Sequence, residues 1–376
     1  MSLRELGSIA FDLVFRYLPH RASTGLLAIG DPDRQSPVLL TGNYTVTVRR
    51  LRRVLRGQRV WLLCANSKGI NVWCAAGGGH LTHHDVIAAI RTSGIGERVE
   101  QRHLVLPQLS ATGVERRRIT EATGWSTAWG PARLEDLPAF LQRGGPVHKA
   151  ERTMRFPLWE RLEMAAMWSV PMAVLGGPLF AWLGGWRLGL ALAAMALATV
   201  FTLFAALPAL RVTGAARWIT FGAFAVLGAA LGGALLAALG DATPPALTLD
   251  GVAALGVMGI LAIDLAGTTP WYGSYINTFH APRIDLVADR CTGQAVCVQV
   301  CPRNVLAMQG ALHKVEVARP DDCIQCGACI VQCPEDALRF RYDDGRIVEP
   351  ATVRTTRMNM LGRRTVHIAS DAGMPS

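Results

Sequence analysis

The stretch Cys323-Ile-Gln-Cys326-Gly-Ala-Cys329-Ile-Val-Gln-Cys333-Pro334 decides how the C-terminal part of the chain folds. Its spacing is C-x2-C-x2-C-x3-C-P. Three thiolates in one tight loop reach three irons of a 4Fe–4S cube, and the fourth cysteine is left to reach a neighbouring cluster. A zinc site is the competing explanation, but zinc ligands do not follow this x2-x2-x3-Pro spacing.

Working outward, Cys291-Thr-Gly-Gln294-Ala-Val-Cys297-Val-Gln-Val-Cys301-Pro302 repeats the frame with glutamine at the second position. By the crossover rule, Cys323, Cys326, Cys329 and Cys301 hold a complete 4Fe–4S cluster. Cys291, Cys297 and Cys333 hold a second cluster that is one thiolate short at Gln294. That cluster is expected as 3Fe–4S, or as a labile 4Fe–4S with a non-cysteine ligand. Residues 283–345 therefore read as an α+β, bacterial-type dicluster ferredoxin domain. Residues 346–376 mix basic, polar and small side chains and read as a partly disordered tail. Of nine cysteines, all but Cys64 and Cys74 fall in this cluster, with metal spacing instead of a disulfide framework. A reducing compartment is implied.

The rest of the chain is too apolar for an ordinary soluble protein. Its 376 residues are 51% hydrophobic and 18% charged, with a mean hydropathy of +0.26, which calls for a membrane-embedded part. The net charge of +10 is spread along the chain, without a helix-turn-helix, zinc-finger or RNA-binding signature, so no nucleic-acid partner is expected. Four apolar segments near Met167–Leu183, Leu188–Leu210, Trp218–Leu239 and Val252–Ala266 approach the length that crosses a bilayer. Trp182, Trp186, Trp218, Trp271 and Tyr272 lie at or near their ends, where amphipathic rings prefer the interface. Arg152, Arg155 and Arg161 precede the first segment, Arg211 and Arg217 separate the second and third, and Arg283 and Arg290 follow the fourth. The other loops hold only Arg187. The positive-inside rule then places a four-helix transmembrane domain, 151–275, in the inner (cytoplasmic) membrane with both termini cytoplasmic. The start of the chain lacks the basic, apolar and small-residue pattern of a signal peptide, which agrees. Glycines at 222, 228, 232 and 233 permit close helix packing. Asp264 reads as a solvated or hydrogen-bonded acid near an interface. No charged pathway crosses the segments, so they read as an anchor.

Residues 1–150 read as an α/β, Rossmann-like domain. Apolar runs at Pro37–Thr41, Val60–Cys64 and Leu104–Leu106 alternate with helical patterns at Val46–Leu55, Asp85–Ile90 and Val114–Thr123, as in a mostly parallel sheet. Within it lies Asn71-Val72-Trp73-Cys74-Ala75-Ala76-Gly77-Gly78-Gly79. Taken alone, Cys74 is either a buried cysteine before a loop or a metal-ligating thiol, with small neighbours that let a flat group approach. The glycines do not form a dinucleotide fingerprint. His80, His83 and His84 read as a polar helix start more readily than as metal ligands, Lys68 as solvated, and Cys64 as a buried strand residue.

A cytoplasmic α/β domain with one odd cysteine, a helical anchor and a low-potential electron carrier resemble, together, the mercury-methylating corrinoid protein fused to its partner ferredoxin. Asn71 to Gly77 matches that family's cap-helix motif. Gly25-Leu26 through Asp31-Pro32-Asp33, Ser36–Leu39, Lys68–Ile70 and Leu106–Leu109 also look like it. The resemblance implies that Cys74 is the lower axial ligand of a cobalamin-type corrinoid, with Asn71, Val72, Trp73, Ala75, Ala76 and Gly77 around it. It further implies methyl transfer from cobalt to a soft acceptor, mercury(II) first, with the ferredoxin domain re-reducing cobalt. A methyl donor protein or methylated pterin and an upstream low-potential reductant would be partners, with the metal or a small molecule as acceptor. Three departures stand out. Gly78 replaces the motif's terminal lysine, Gln294 replaces a cluster cysteine, and no cysteine follows Cys333. The alternatives are a corrinoid methyltransferase with another acceptor, a membrane-tethered iron–sulfur electron-transfer protein, and a structural factor of a membrane redox complex.

Overall fold

The computed structural model describes residues 18–212, 215–263, 282–310 and 312–358, with Gly7, Phe11, Val14, Arg16 and Leu265. Asp264, Trp271, Tyr272 and the tail beyond Met358, all named above, lie outside the described residues. Two compact units are present. One joins Pro19–Met154 to the cysteine-rich C-terminal portion, and the other is built mainly from Arg155–Gly267.

In the first unit the strands β1 (Gly25–Ile29), β2 (Val38–Gly42), β3 (Val60–Ala65), β4 (His103–Leu106) and β5 (Ser126–Trp129) form one sheet. Their order is β1-β3-β2-β4-β5, with β1 antiparallel to β3 and every other pair parallel. β2 is buried along its whole length and β3 at all positions but one, as parallel strands covered on both faces must be. The expected mostly parallel sheet is present. β5 (Ser-Thr-Ala-Trp) is short and carries no apolar run to separate it from a loop, whereas β1 (Gly-Leu-Leu-Ala-Ile) is an apolar run that the sequence reading passed over. The crossovers are α1 (Thr45–Val54), α2 (Val72–Gly77), α3 (His83–Thr92), the single turn α4 (Ile95–Arg98), α5 (Arg116–Thr123) and α6 (Leu137–Arg143). α1 buries Val46, Val48 and Leu51 and leaves its arginines outward. α3 starts at a capping box in which Thr82 and Asp85 satisfy each other's backbone donors. α5 stops at Gly124, whose φ of 71° suits glycine.

The second unit is helical: α7 (Leu158–Pro171), a π-helical turn (Met172–Gly176), α8 (Gly177–Gly184), α9 (Trp186–Ala206), α10 (Ala216–Ala238) and α11 (Pro244–Ile263). Pro171 withholds an N–H, and the wide turn follows at once. Four runs, Leu158–Gly184, Trp186–Ala209, Ala216–Ala238 and Pro244–Ile263, are long and apolar enough to cross a membrane by length and composition. The first and last begin earlier than their apolar cores alone indicate, which brings Asp250 inside α11. Asp250 and Arg217 are enclosed, with Arg217 Nε donating to the Val212 carbonyl at 2.7 Å. Gly232 leaves room for the Asp250 carboxylate, which a side chain there would strike. The sequence had shown no enclosed charge, because Asp250 precedes the strongly apolar part of its helix.

The cysteine-rich portion comprises β6 (Arg283–Leu286), α12 (Val296–Val300), β7 (Leu306–Gln309), β8 (Lys314–Val317), α13 (Ala328–Val331), β9 (Leu338–Arg341), β10 (Ile347–Val348) and α14 (Pro350–Thr355). β10-β9-β6 form an antiparallel sheet, and β7 and β8 form a hairpin. Its two halves repeat each other's backbone. Ala295 (φ 57°) matches Gly327 (φ 75°), and Asn304 (φ 51°) matches Asp336 (φ 50°). Cys301 Sγ accepts the Val305 N–H and Cys333 Sγ the Ala337 N–H, each at 3.3 Å. The described part of the expected tail is structured: β10 pairs with β9, and α14 packs beside α13. Its polarity reflects a surface helix held by Arg354, which donates to the Cys333 carbonyl at 3.0 Å.

This portion shares a core with the α/β sheet. Val300, Cys326 and Ala328 belong to the buried cluster that contains Val72, Ala75, Leu106 and Ala111. Gln332 Nε2 donates to the carbonyls of Ala111 and Val114, both at 2.8 Å, and is itself buried. Gln332→Leu strands two buried acceptors, at a cost of about 1–3 kcal/mol each. Hydrogen exchange should show residues 110–116 losing protection while the strands of the sheet keep theirs. Unchanged exchange there would show that the amide does not hold this seam.

Candidate cofactor-binding site

The loop that leads from β3 to α2 is held by one buried side chain. Asn43 Oδ1 accepts from the backbone of Ser67 at 2.9 Å and of Gly69 at 3.0 Å, and its Nδ2 donates to the Ala22 carbonyl at 3.1 Å. The sequence reading placed Asn43 in a turn and gave it no role. Its position two residues before the first apolar-patterned helix was the available signal, since asparagine there can bind neighbouring backbone.

α2 then starts at Asn71, whose side chain accepts the Cys74 N–H at 3.0 Å. Val72, Ala75, Ala76 and Gly77 are buried, Trp73 is half-buried and Cys74 is exposed. Cys74 therefore points away from the core beyond the carboxyl ends of parallel strands, where α/β sheets place ligands. The reading of Cys74 as a buried cysteine is excluded. Cys64 is the buried one, and burial pushes its thiol up to about 11, so it stays protonated and inert.

The small residues beside Cys74 have a different cause from the one expected. A Cβ on Gly113 would run into the Ala76 carbonyl, so the turn at Gln108–Thr112 can press directly on α2. A Cβ on Gly77 would lie 2.8 Å from Met358 Sδ, and one on Gly79 (φ 72°) would lie 2.6 Å from Arg357 Nε. Met358 N–H donates to the Gly77 carbonyl at 2.7 Å. The alanines and glycines thus accommodate the protein's own turn and C-terminal strap, while Cys74 is exposed and Trp73 lies half-buried at the edge of the core. Gly78 closes α2 through its N–H to the Cys74 carbonyl at 2.8 Å. His83 Nδ1 sits 3.5 Å from Glu115 Oε1, an ion pair only when the ring is protonated.

Cys301, Cys323, Cys326 and Cys329 line one cavity with Pro302 and Val305. Burial, followed by the neighbouring Cys301, Cys326 and Cys323, drives the Cys329 thiol far above its ordinary range. Cys297 is pushed up to about 12 by burial and then by Cys333 and Cys291. Thiols this crowded and this dry ionise only onto cations, which is the donor set that iron–sulfur cubes need. Among the described residues no three His, Cys, Asp or Glu side chains converge on a single-ion position. Gln294 stands at the missing corner, and its Nε2 donates to Glu335 Oε1 at 3.1 Å.

Residues 16–141 match the family described as CO dehydrogenase/acetyl-CoA synthase delta subunit, and residues 289–337 match the 4Fe-4S dicluster domain. The chain is 35% identical over 129 residues to acetyl-CoA decarbonylase/synthase complex subunit gamma of Methanopyrus kandleri, 34% of this chain and 28% of that one. It is 32% identical over 130 residues to the same subunit of Archaeoglobus fulgidus, covering 34% and 27%. The chain spans less than a third of the length of these relatives. It is similar to a corrinoid iron–sulfur protein. The matches support the corrinoid and the iron–sulfur clusters expected from sequence, and they overturn the resemblance to the mercury-methylating protein. The mercury reading joined the Asn71–Gly77 motif and several shorter stretches to a helical anchor and a ferredoxin frame, whereas residues 16–141 as a block match the CO dehydrogenase/acetyl-CoA synthase delta subunit family and these relatives are acetyl-CoA decarbonylase/synthase gamma subunits.

Two outcomes test this geometry. Gly79→Val forces an unfavourable φ, at about 1–2 kcal/mol, and drives Cβ into Arg357, so tryptic cleavage after Arg357 should quicken. An unchanged rate would mean that the strap is not seated on Gly79. His80 is held below its ordinary 6.5 by burial, then by Lys68 and Arg357, against the opposing pull of Asp85. A depressed histidine means that the unfolded state binds more protons, so its contribution is present above about pH 6.5 and is lost as pH falls. Protection factors at residues 75–82, taken relative to the intrinsic amide exchange rate at each pH, should fall on acidification, and His80→Gln should flatten that dependence. His83, also lowered mainly by burial, leaves the residual slope.

Proposed function

We propose that this chain is a membrane-anchored, corrinoid-dependent methyl-transfer protein that carries its own iron–sulfur electron source. The observation that carries the reading is the shared core. Ile324 and Cys326, from the complete-cluster loop, pack in the same apolar cluster as Trp73 and Ala75 of α2. The electron-carrying loop and the helix that presents Cys74 thus belong to one apolar core.

A bound corrinoid supplies a cobalt–carbon bond that gives up its methyl group, and reduced clusters supply the electrons that keep cobalt able to take another. The chain's own residues do the rest. Cys74 would offer the thiolate that holds the cobalt, and Asn71 fixes the backbone that presents it. Trp73 provides a half-buried flat surface beside it. Cys301, Cys323, Cys326 and Cys329 hold the complete cluster in an apolar pocket that excludes water. The four apolar helices, with Leu175, Trp182, Ile219 and Val226 facing outward, support a bilayer anchor in the cytoplasmic membrane with both termini cytoplasmic. A methyl donor protein or methylated pterin and a low-potential reductant are the partners this chemistry needs. The names of the relatives favour a partner subunit or small molecule as methyl acceptor.

The test is anaerobic purification from membranes with a corrinoid supplied. The expected preparation shows corrinoid and iron–sulfur absorption, and Cys74→Ala shifts only the corrinoid bands. A preparation that shows iron–sulfur absorption alone would sink methyl transfer and leave a tethered electron carrier.

A further inference from the structure

The repeated halves make the incomplete corner informative. In the first cluster the second-position residue is Cys326, and the residue after its Cys-Pro ligand turn is Arg303. Both line the same cavity. Arg303 is a fixed cation that ligates nothing, and it pairs with Asp322 at 3.8 Å. In the second cluster the corresponding residues are Gln294 and Glu335. The backbone at the two sites is the same, with positive φ at Ala295 and Gly327 and at Asn304 and Asp336. Where the thiolate is present the neighbour is cationic, and where it is absent the neighbour is a carboxylate. The two exchanged residues touch, with Gln294 Nε2 donating to Glu335 Oε1 at 3.1 Å.

Resting on the dicluster reading above, we propose that Glu335 is the fourth ligand of the second cluster, an oxygen donor in place of the missing thiolate. Gln294 acts as a positioning residue. Its amide binds one carboxylate oxygen and leaves the other for the iron corner that Cys291, Cys297 and Cys333 do not reach. A carboxylate is a harder donor than a thiolate and still suits ferrous iron. Gln294 and Glu335 are both exposed, so the corner iron meets solvent and exchanges. The balance is simple. A reduced three-iron core, Fe3S4 with no net charge, takes up one Fe2+ to give Fe4S4 with charge 2+. No electron is consumed, and the ionised Glu335 replaces water on the iron without releasing a proton.

The experiment reconstitutes the full chain anaerobically with ferrous iron, sulfide and dithionite, then counts iron and records Mössbauer and EPR spectra. About eight irons per chain are expected. Glu335→Gln should hold one iron fewer and, on mild oxidation, show the signal of a three-iron cluster. Its complete cluster is unaltered and serves as the internal control for folding. Adding Gln294→Cys to Glu335→Gln should restore the lost iron. A three-iron signal in the unaltered reconstituted protein, or full iron retention in Glu335→Gln, overturns Glu335 as ligand. Failure of the Cys326 cluster to assemble overturns the underlying dicluster reading instead.

Discussion

A buried side-chain amide fixes how the first unit is put together. Gln332 immediately precedes the cluster ligand Cys333, yet its hydrogen bonds go to the carbonyls of Ala111 and Val114 on the sheet side. A polar group buried in an apolar seam is tolerated only where it is satisfied. The seam formed by Val300, Cys326, Ala328 and Ala75 therefore has one register. Hydrophobic burial supplies the driving force there but is indifferent to sliding, and the amide removes that freedom. The turn at Gln108–Thr112 joins the two effects, since it carries one of the bonded carbonyls and also presses on α2.

That arrangement changes how the Cys74 helix is understood. A run of alanine and glycine beside a possible ligand invites the idea that a flat cofactor hollowed it out. Here the hollows are already filled by Ala76 against Gly113, Met358 against Gly77 and Arg357 against Gly79. The helix is clamped on its inner face and at its end by protein, and its outer face presents one thiol. A clamped helix holds a ligand at a fixed height, which serves metal chemistry better than a flexible loop.

The parts legible in the sequence were those set by local spacing. The two cysteine frames, their crossover grouping and the odd Gln294 follow from chain order, and the parallel strands from uninterrupted apolar runs. What escaped is what depends on contacts between distant segments. The strap from Thr356 to Met358 reads as polar tail because the bond that ties it to α2, from the Met358 N–H to the Gly77 carbonyl, is a backbone one. Glu335 looks like an ordinary surface acid until the fold sets it against Gln294. Asp250 sits before the apolar part of α11, so hydropathy put it in a loop. The mercury assignment failed for a different reason: the Cys74 motif marks a corrinoid site without naming the family that owns it, and the match over residues 16–141 is to the CO dehydrogenase/acetyl-CoA synthase delta subunit.

The contact between Gly77 and Met358 also orders events in time. A chain emerging from the ribosome exposes the Cys74 helix some 281 residues before the segment that pins its end. All the cluster cysteines emerge in between. The helix that presents the thiol therefore completes its docking only after both cysteine frames are available to iron. Assembly of the electron carrier can thus precede closure of the thiol site.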